Sequence, residues 1–253
     1  MNVVVDGLMA SYQKTGKGKT VLLLHGWGDS SQTFKHLSED LKDDYELYAL
    51  DLPGFGASQA PSELWGTEGF ARFAEDFISK VGIKPYAIVG HSFGGAIAMD
   101  MASQKPPFKK LVLLASAGIR NKRPVKSALL KATAKVGKTG LYLLPAHKSR
   151  QLKRRIYDSM GSDAMLLPHM EKIYRKIITE DMRGRAAKIK VPTLLVYGSK
   201  DKATPASDGL ALHRTIAGSD FKIIDAGHFL HQEQAAHVGS MIKAFLAAKE
   251  QDV

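Results

Sequence analysis

The sequence predicts an α/β fold, with a mostly parallel central sheet flanked by helices and a helical insertion in its second half. Three observations predict it. Short apolar runs alternate with amphipathic stretches, as in successive βαβ units. Each early run ends in a Gly, Asp or Ser cluster that would lie at the carboxyl edge of the sheet. The apolar period then turns from strand-like to helical over residues 120–189 before the runs resume.

The expected strands are Val21-Leu22-Leu23-Leu24, Glu46-Leu47-Tyr48-Ala49-Leu50, Tyr86-Ala87-Ile88-Val89 and Leu111-Val112-Leu113-Leu114. After a pause at Ala117 the pattern returns at Pro192–Tyr197 and Phe221–Ile224. Between them Leu152, Ile156 and Met160 recur every four residues, and Met170, Ile173, Tyr174, Ile177 and Ile178 recur at steps of three and one. That spacing gives at least two amphipathic helices. A further helix is expected over Val125–Val136, ended by Gly137 and Gly140. The organisation is therefore one domain: core residues 1–119, a helical cap at 120–189, and core again at 190–253.

Apolar residues at 44% and charged residues at 24% give an ordinary globular balance. With no cysteine, disulfides, cysteine-ligated zinc, iron–sulfur clusters and thiol nucleophiles are all excluded. Met1-Asn2-Val3-Val4-Val5-Asp6 has neither a basic n-region nor an apolar run of signal-peptide length. No later stretch approaches the roughly 20 apolar residues that a membrane span needs, so a cytoplasmic location is expected. The net charge of +11 is concentrated: Gly118 to Lys190 carries +14 and the remainder −3. The block includes the run Lys148-Ser149-Arg150-Gln151-Leu152-Lys153-Arg154-Arg155. It is read first as a solvated basic face on the cap helices. Steering of an anionic substrate, or contact with nucleic acid or an anionic membrane surface, is the alternative, weakened by sparse aromatic interleaving and the lack of a nucleic-acid motif.

The strongest chemical signal is Gly90-His91-Ser92-Phe93-Gly94-Gly95, a G-x-S-x-G that follows an apolar strand and precedes a helical stretch. A serine on such a sharp turn brings the residues two before and two after it into near contact, where only glycine fits. A free hydroxyl is a poor nucleophile and needs a base, itself oriented by a third group. Asp201, in Gly198-Ser199-Lys200-Asp201, follows the strand ending at Tyr197, and His228, in Asp225-Ala226-Gly227-His228-Phe229, follows the strand ending at Ile224. The chain order Ser, Asp, His is the one that G-x-S-x-G sites use. Asp225 precedes His228 by three residues on the incoming strand and is poorly placed to face the imidazole, so it is expected to bond within its loop. His147, His169, His213, His231 and His237 lack strand-end context and are expected at the surface or in packing.

Negative charge developing on a substrate oxygen needs donors, and the backbone N–H groups of Phe93 and Trp27 are assigned that task. Trp27 lies in His25-Gly26-Trp27-Gly28, directly after the first strand, where His25 is expected to pin the loop. His91 is expected to pack beside the elbow. Two phosphate-binding lookalikes fail, because Gln13 and Ala132 stand where the leading glycines before Gly18-Lys19-Thr20 and Gly137-Lys138-Thr139 would have to be.

With His25-Gly26, the turn Asp51-Leu52-Pro53-Gly54-Phe55-Gly56-Ala57-Ser58, the Ser92 elbow, the Asp201 loop and Gly227-His228-Phe229, the chain resembles the α/β-hydrolase superfamily over nearly its whole length. The resemblance is to the capped serine esterase and carbon–carbon bond hydrolase branch. It implies the α/β-hydrolase fold, a structural role for the Asp51 segment, and hydrolysis of a small ester through an acyl-enzyme on Ser92, with no cofactor and no metal. Serine at position 92 argues against the dehalogenase and epoxide hydrolase relatives, whose nucleophile is a carboxylate. The alternatives are cleavage of a carbon–carbon bond in a vinylogous diketone acid, thioester or perhydrolase chemistry, and a ligand receptor with slow turnover.

Overall fold

The computed structural model describes residues 1–104, 106–120 and 168–248. Within them an eight-stranded sheet is built from β1 (Asn2–Val5), β2 (Leu8–Gly16), β3 (Lys19–Leu24), β4 (Tyr45–Leu50), β5 (Ala87–His91), β6 (Lys110–Leu114), β7 (Thr193–Gly198) and β8 (Asp220–Ile224). Their order across the sheet is β1-β2-β4-β3-β5-β6-β7-β8. β2 runs antiparallel to both β1 and β4, and all other pairings are parallel. The described helices are α1 (Lys35–Leu41), α2 (Thr67–Val81), α3 (Phe93–Ala102), α4 (Glu171–Ile177), α5 (Arg183–Ala186), α6 (Ala206–Thr215), α7 (Leu230–Glu233) and α8 (Ala235–Ala247).

The sheet is covered on both faces, which explains why its central strands read as unbroken apolar runs rather than alternating ones. In β3, Leu22 and Leu24 enter one cluster with Phe70 and Phe77 of α2 and Ile97 of α3. Val21 and Leu23 enter the other, with Leu37 and Leu41 of α1 and Val238 and Ile242 of α8. Each such side chain, fully buried, contributes about 1.5–3 kcal/mol of hydrophobic stabilisation. Helix α2 buries Phe70, Phe73 and Phe77 at helical spacing and stops at Gly82, whose φ of +71° lets its N–H turn back to the carbonyls of Ile78 and Ser79.

The six expected strands are all present, the sheet gaining β1 and β2 at its amino-terminal edge. That hairpin gives a weak sequence signal because β2 is half solvated: Ala10 and Tyr12 are buried, while Gln13, Lys14 and Thr15 face water. Its polar face is stitched to the next strand by the Lys14–Glu46 ion pair at 2.7 Å.

The topology fixes where a site can form. From β3 the chain crosses to β4 on one side and later to β5 on the other, so β3 and β5 flank a switch point. Loops leaving the carboxyl ends of two such strands diverge and leave a crevice. Leu24 pairs with Gly90, so the His25 loop and the Ser92 elbow leave the sheet side by side.

Residues 180–185 are tied to the elements around the sheet. Met182 N–H donates to Gly118 O at 2.8 Å and Arg183 Nη2 to Arg120 O at 3.0 Å. Glu180 accepts from Thr67 N–H at the start of α2 (3.0 Å), and Arg185 Nε pairs with the buried Asp100 on α3 at 2.6 Å. Of the expected stripe at 170–178, Met170 and Ile173 are buried around α4, and Ile178 lies past its end, 38% exposed. The expected helix at Val125–Val136, the stripe at Leu152, Ile156 and Met160, and the basic run Lys148–Arg155 lie outside the described residues. No helix among the described residues is long and apolar enough to cross a membrane.

Candidate active site

Ser92 sits between β5 and α3 with φ +51° and ψ −113°, a conformation L residues rarely adopt. Its neighbours explain how the turn is tolerated. A Cβ on Gly90 would lie 2.5 Å from Gly94 O, and one on Gly94 would run into the Leu24 carbonyl. The strained backbone is held by four hydrogen bonds: Ser92 N–H donates to Leu114 O (3.0 Å), and Ser92 O accepts from Gly95 (3.0 Å), Ala96 (3.3 Å) and Ala117 (3.0 Å). Oγ is thereby presented above the carboxyl edge of the sheet.

The sheet brings the two expected partners to it. His228 Nε2 lies 3.0 Å from Ser92 Oγ, and His228 Nδ1 lies 2.8 Å from Asp201 Oδ2. This is hydrogen-bond geometry at both joints. The Asp201 side chain is fully buried and His228 partly so. Burial alone would push the Asp201 carboxyl up, but the hydrogen bond and charge of His228, with donation from Thr204, hold it below its ordinary value. Oδ1 is saturated by the N–H groups of Ala203 (2.8 Å) and Thr204 (3.0 Å). An ionised Asp201 can only accept, so it holds the proton of a neutral His228 on Nδ1 and leaves the Nε2 lone pair facing the serine.

The loop after β3 lies against the nucleophile, since a Cβ on Gly26 would come within 3.2 Å of Ser92 Cβ. No acceptor among the described residues takes up the N–H of Trp27 or of Phe93. Both amides are therefore available to a bound oxygen, and Phe93 is the first residue of α3, where the helix dipole favours negative charge. The Trp27 ring packs on Phe55, Phe93 and Tyr174 with centroids 4.8, 5.6 and 5.1 Å away, fixing the loop's course.

His25 has the pinning role expected of it. It is fully buried, accepts from Leu52 N–H through Nε2 (2.9 Å) and donates from Nδ1 to Gly26 O (2.7 Å), and burial lowers its pKa. Asp51 is likewise internal, accepting from Ser31 N–H (2.7 Å) and Ala57 N–H (3.0 Å). Asp225 is a loop hydrogen-bonder, but across to the neighbouring loop after β7 rather than within its own, to Lys200 Nζ at 2.9 Å and Ser199 Oγ at 3.2 Å, and stays exposed. His213 stacks on Phe221, and His169 and His237 are exposed. His147 lies outside the described residues.

Two residues do more than their sequence context suggested. His91 is buried and donates from Nε2 to the carbonyl of His228 at 3.0 Å, so it props the base from below. Thr204 places its hydroxyl 2.8 Å from Asp201 Oδ2 and 3.2 Å from His228 Nδ1. A histidine inside the elbow motif could have been flagged by its position, whereas a threonine before Pro205 carries no distinguishing signal.

The family described as serine aminopeptidase, S33, matches residues 16–234. A Bacillus subtilis protein described as uncharacterized hydrolase YugF is 26% identical over 262 residues, covering 96% of this chain and 96% of its own. An esterase structure from Exiguobacterium antarcticum superposes with a TM-score of 0.76 at 22% identity, covering 96% of this chain and 97% of the other. A meta-cleavage product hydrolase structure from Pseudomonas fluorescens gives a TM-score of 0.76 at 19% identity, covering 97% and 96%. Both structures share the fold.

Proposed function

The chain belongs to the serine aminopeptidase S33 family of α/β hydrolases, and from that premise we propose that it is a carboxylic ester hydrolase working through an acyl-enzyme on Ser92. The observation that carries the reading is the unbroken contact from Ser92 Oγ through His228 to Asp201, at 3.0 and 2.8 Å. In this mechanism His228 Nε2 takes the hydroxyl proton as Oγ attacks the ester carbonyl. The imidazolium formed is stabilised by the buried Asp201 carboxylate, and the oxyanion by the N–H groups of Trp27 and Phe93. His228 then passes the proton to the departing alkoxide, and the same base activates water to free the acid. No group beyond the chain's own residues and water takes part in these steps.

The test is covalent labelling by a fluorophosphonate, followed by turnover of nitrophenyl esters of increasing acyl length. Labelling confined to Ser92, with turnover that depends on chain length, is expected. Failure of the purified chain to label or to hydrolyse any ester of the series would refute the reading.

The family's name raises a second reading, because an amide and an ester differ in their leaving group and not in the acyl-enzyme route. Pairing each nitrophenyl ester with the matching aminoacyl nitroanilide decides it, and the ester is expected to be the better substrate.

A further inference from the structure

The Thr204 hydroxyl has one proton and two acceptors at equal range, Asp201 Oδ2 at 2.8 Å and the carbonyl of Ala115 at 2.8 Å. It also lies 3.2 Å from His228 Nδ1. A single hydroxyl cannot donate both ways at once. Thr204 is 8% exposed, and its hydroxyl contacts with Ala115 and Asp201 are both buried. Ala115, at the end of β6, is held at φ +44°, an unfavourable conformation for alanine that here accompanies a carbonyl hydrogen-bonded to Thr204.

We propose that Thr204 is a positioning residue for the base, a hydroxyl rotor that donates to Asp201 while His228 is neutral and turns to the Ala115 carbonyl when the imidazole takes the Ser92 proton. The inference rests on the reading of Ser92 as nucleophile.

The two charge states ask for different donors. With His228 neutral, the Asp201 carboxylate is a buried full charge. Its Oδ1 is satisfied by two backbone N–H groups, but its Oδ2 has only the dipole of a neutral imidazole, so the threonine proton is best spent there. With His228 protonated, Oδ2 faces a full positive charge and needs the hydroxyl less. Rotation to Ala115 O then turns an Oγ1 lone pair towards Nδ1–H, a second acceptor for the imidazolium. The threonine proton never leaves its oxygen; only its direction changes. Both states are thus satisfied without moving a heavy atom, which keeps the site preorganised through the proton transfer.

The experiment compares Thr204→Val, which keeps the shape and loses the hydroxyl, with Thr204→Ser, which keeps the hydroxyl. The purified full chain is used, with melting curves to confirm folding, and Thr204→Ala replaces the valine variant if that does not fold. Expected in Thr204→Val is a fall of about tenfold or more in kcat and in the fluorophosphonate labelling rate, with KM within about twofold of the parent. Thr204→Ser is expected to stay within about threefold in all three. The nitrogen shifts of the His228 ring, which report tautomer and charge without substrate, are expected to move in Thr204→Val and to return in Thr204→Ser. Parent-like rates in Thr204→Val, or an equal loss in Thr204→Ser, overturn the inference. A parent chain that does not label refutes the reading of Ser92 instead. The ring shifts then decide the rotor alone, and shifts unchanged in Thr204→Val count against it.

Discussion

Asp201 and Asp225 stand at the ends of adjacent strands, and only their surroundings separate them. Asp201 is sealed from water and receives His228, two backbone amides and Thr204, whereas Asp225 is exposed and paired with Lys200. Asp201→Asn is therefore expected to leave a folded chain whose ester turnover is down by about two orders of magnitude or more, because the amide favours the wrong imidazole tautomer. Asp225→Asn should stay close to the parent in the same assay, since it loses only solvent-facing contacts. Ser92→Ala should abolish labelling while melting like the parent. A greater loss in Asp225→Asn than in Asp201→Asn would reverse the assignment of the acid. That Ser92, His228 and Asp201 come together was legible because each stands just past a strand end and their chain order matches the motif. Thr204 was not, since its role arises only when the loop after β7 folds back on the end of β6.

Among the elements, legibility followed burial. Strands β3 to β7 announce themselves by buried apolar runs, since a strand between two helical layers has little room for polar side chains, whereas β8 at the far edge is mostly exposed and is marked only by Phe221, Ile223 and Ile224. The hairpin β1–β2 sits at an edge, pairs on one side with a single strand of the main sheet, and alternates too weakly to be read. Lys110 of β6 is a second case. A lysine inside a buried strand looks like an interruption, yet its Nζ donates to the carbonyls of Phe245 (2.8 Å), Leu246 (3.3 Å) and Ala248 (2.6 Å), capping the end of α8. It also lies over the rings of Tyr86 and Phe245. A buried cation at the negative end of a helix stabilises it through both hydrogen bonds and dipole. Lys110→Met, similar in reach but without the charge, is expected to cost about 1–3 kcal/mol. For a chain of this size that lowers the melting temperature by roughly 2–4 °C per kcal/mol. Because α8 lies on the face away from α3, kcat and the labelling rate should not change, and a loss of activity larger than the loss of stability would show that the cap of α8 reaches the site.

For the whole molecule, three buried histidines tie folding to pH. His25, His91 and His231 all lie inside, and burial, first among the causes, lowers the pKa of each, that of His231 to about 3. The rings of His91 and His231 lie tilted against each other with centroids 4.3 Å apart, next to His228, and among the described residues the Nδ1 of each is buried without a hydrogen-bond partner, so a proton on either ring would be poorly compensated. The sign follows from which state binds protons. An unfolded histidine takes one up near pH 6.5, while the folded rings stay neutral, so between that value and the folded pKa the unfolded chain binds more protons. Stability is then full above about pH 6.5 and falls as the pH is lowered, by about 1.4 kcal/mol per pH unit for each ring kept neutral. The charge of +11 at pH 7 grows in the same direction and adds repulsion, so acid lability by itself does not identify the histidines. A substitution does. His231→Phe fills the space beside Phe34 with a ring that does not titrate, and urea unfolding at pH 7, 6 and 5 should show a shallower loss than in the parent, by about one ring's share. Thr33 loses its bond to His231 in that variant but keeps the one from Gln232, so the variant starts from a lower plateau without a new slope. Parallel slopes in variant and parent would mean that His231 takes up its proton within the folded state, and the acid response would then belong to His25, His91 and surface charge without a share from His231.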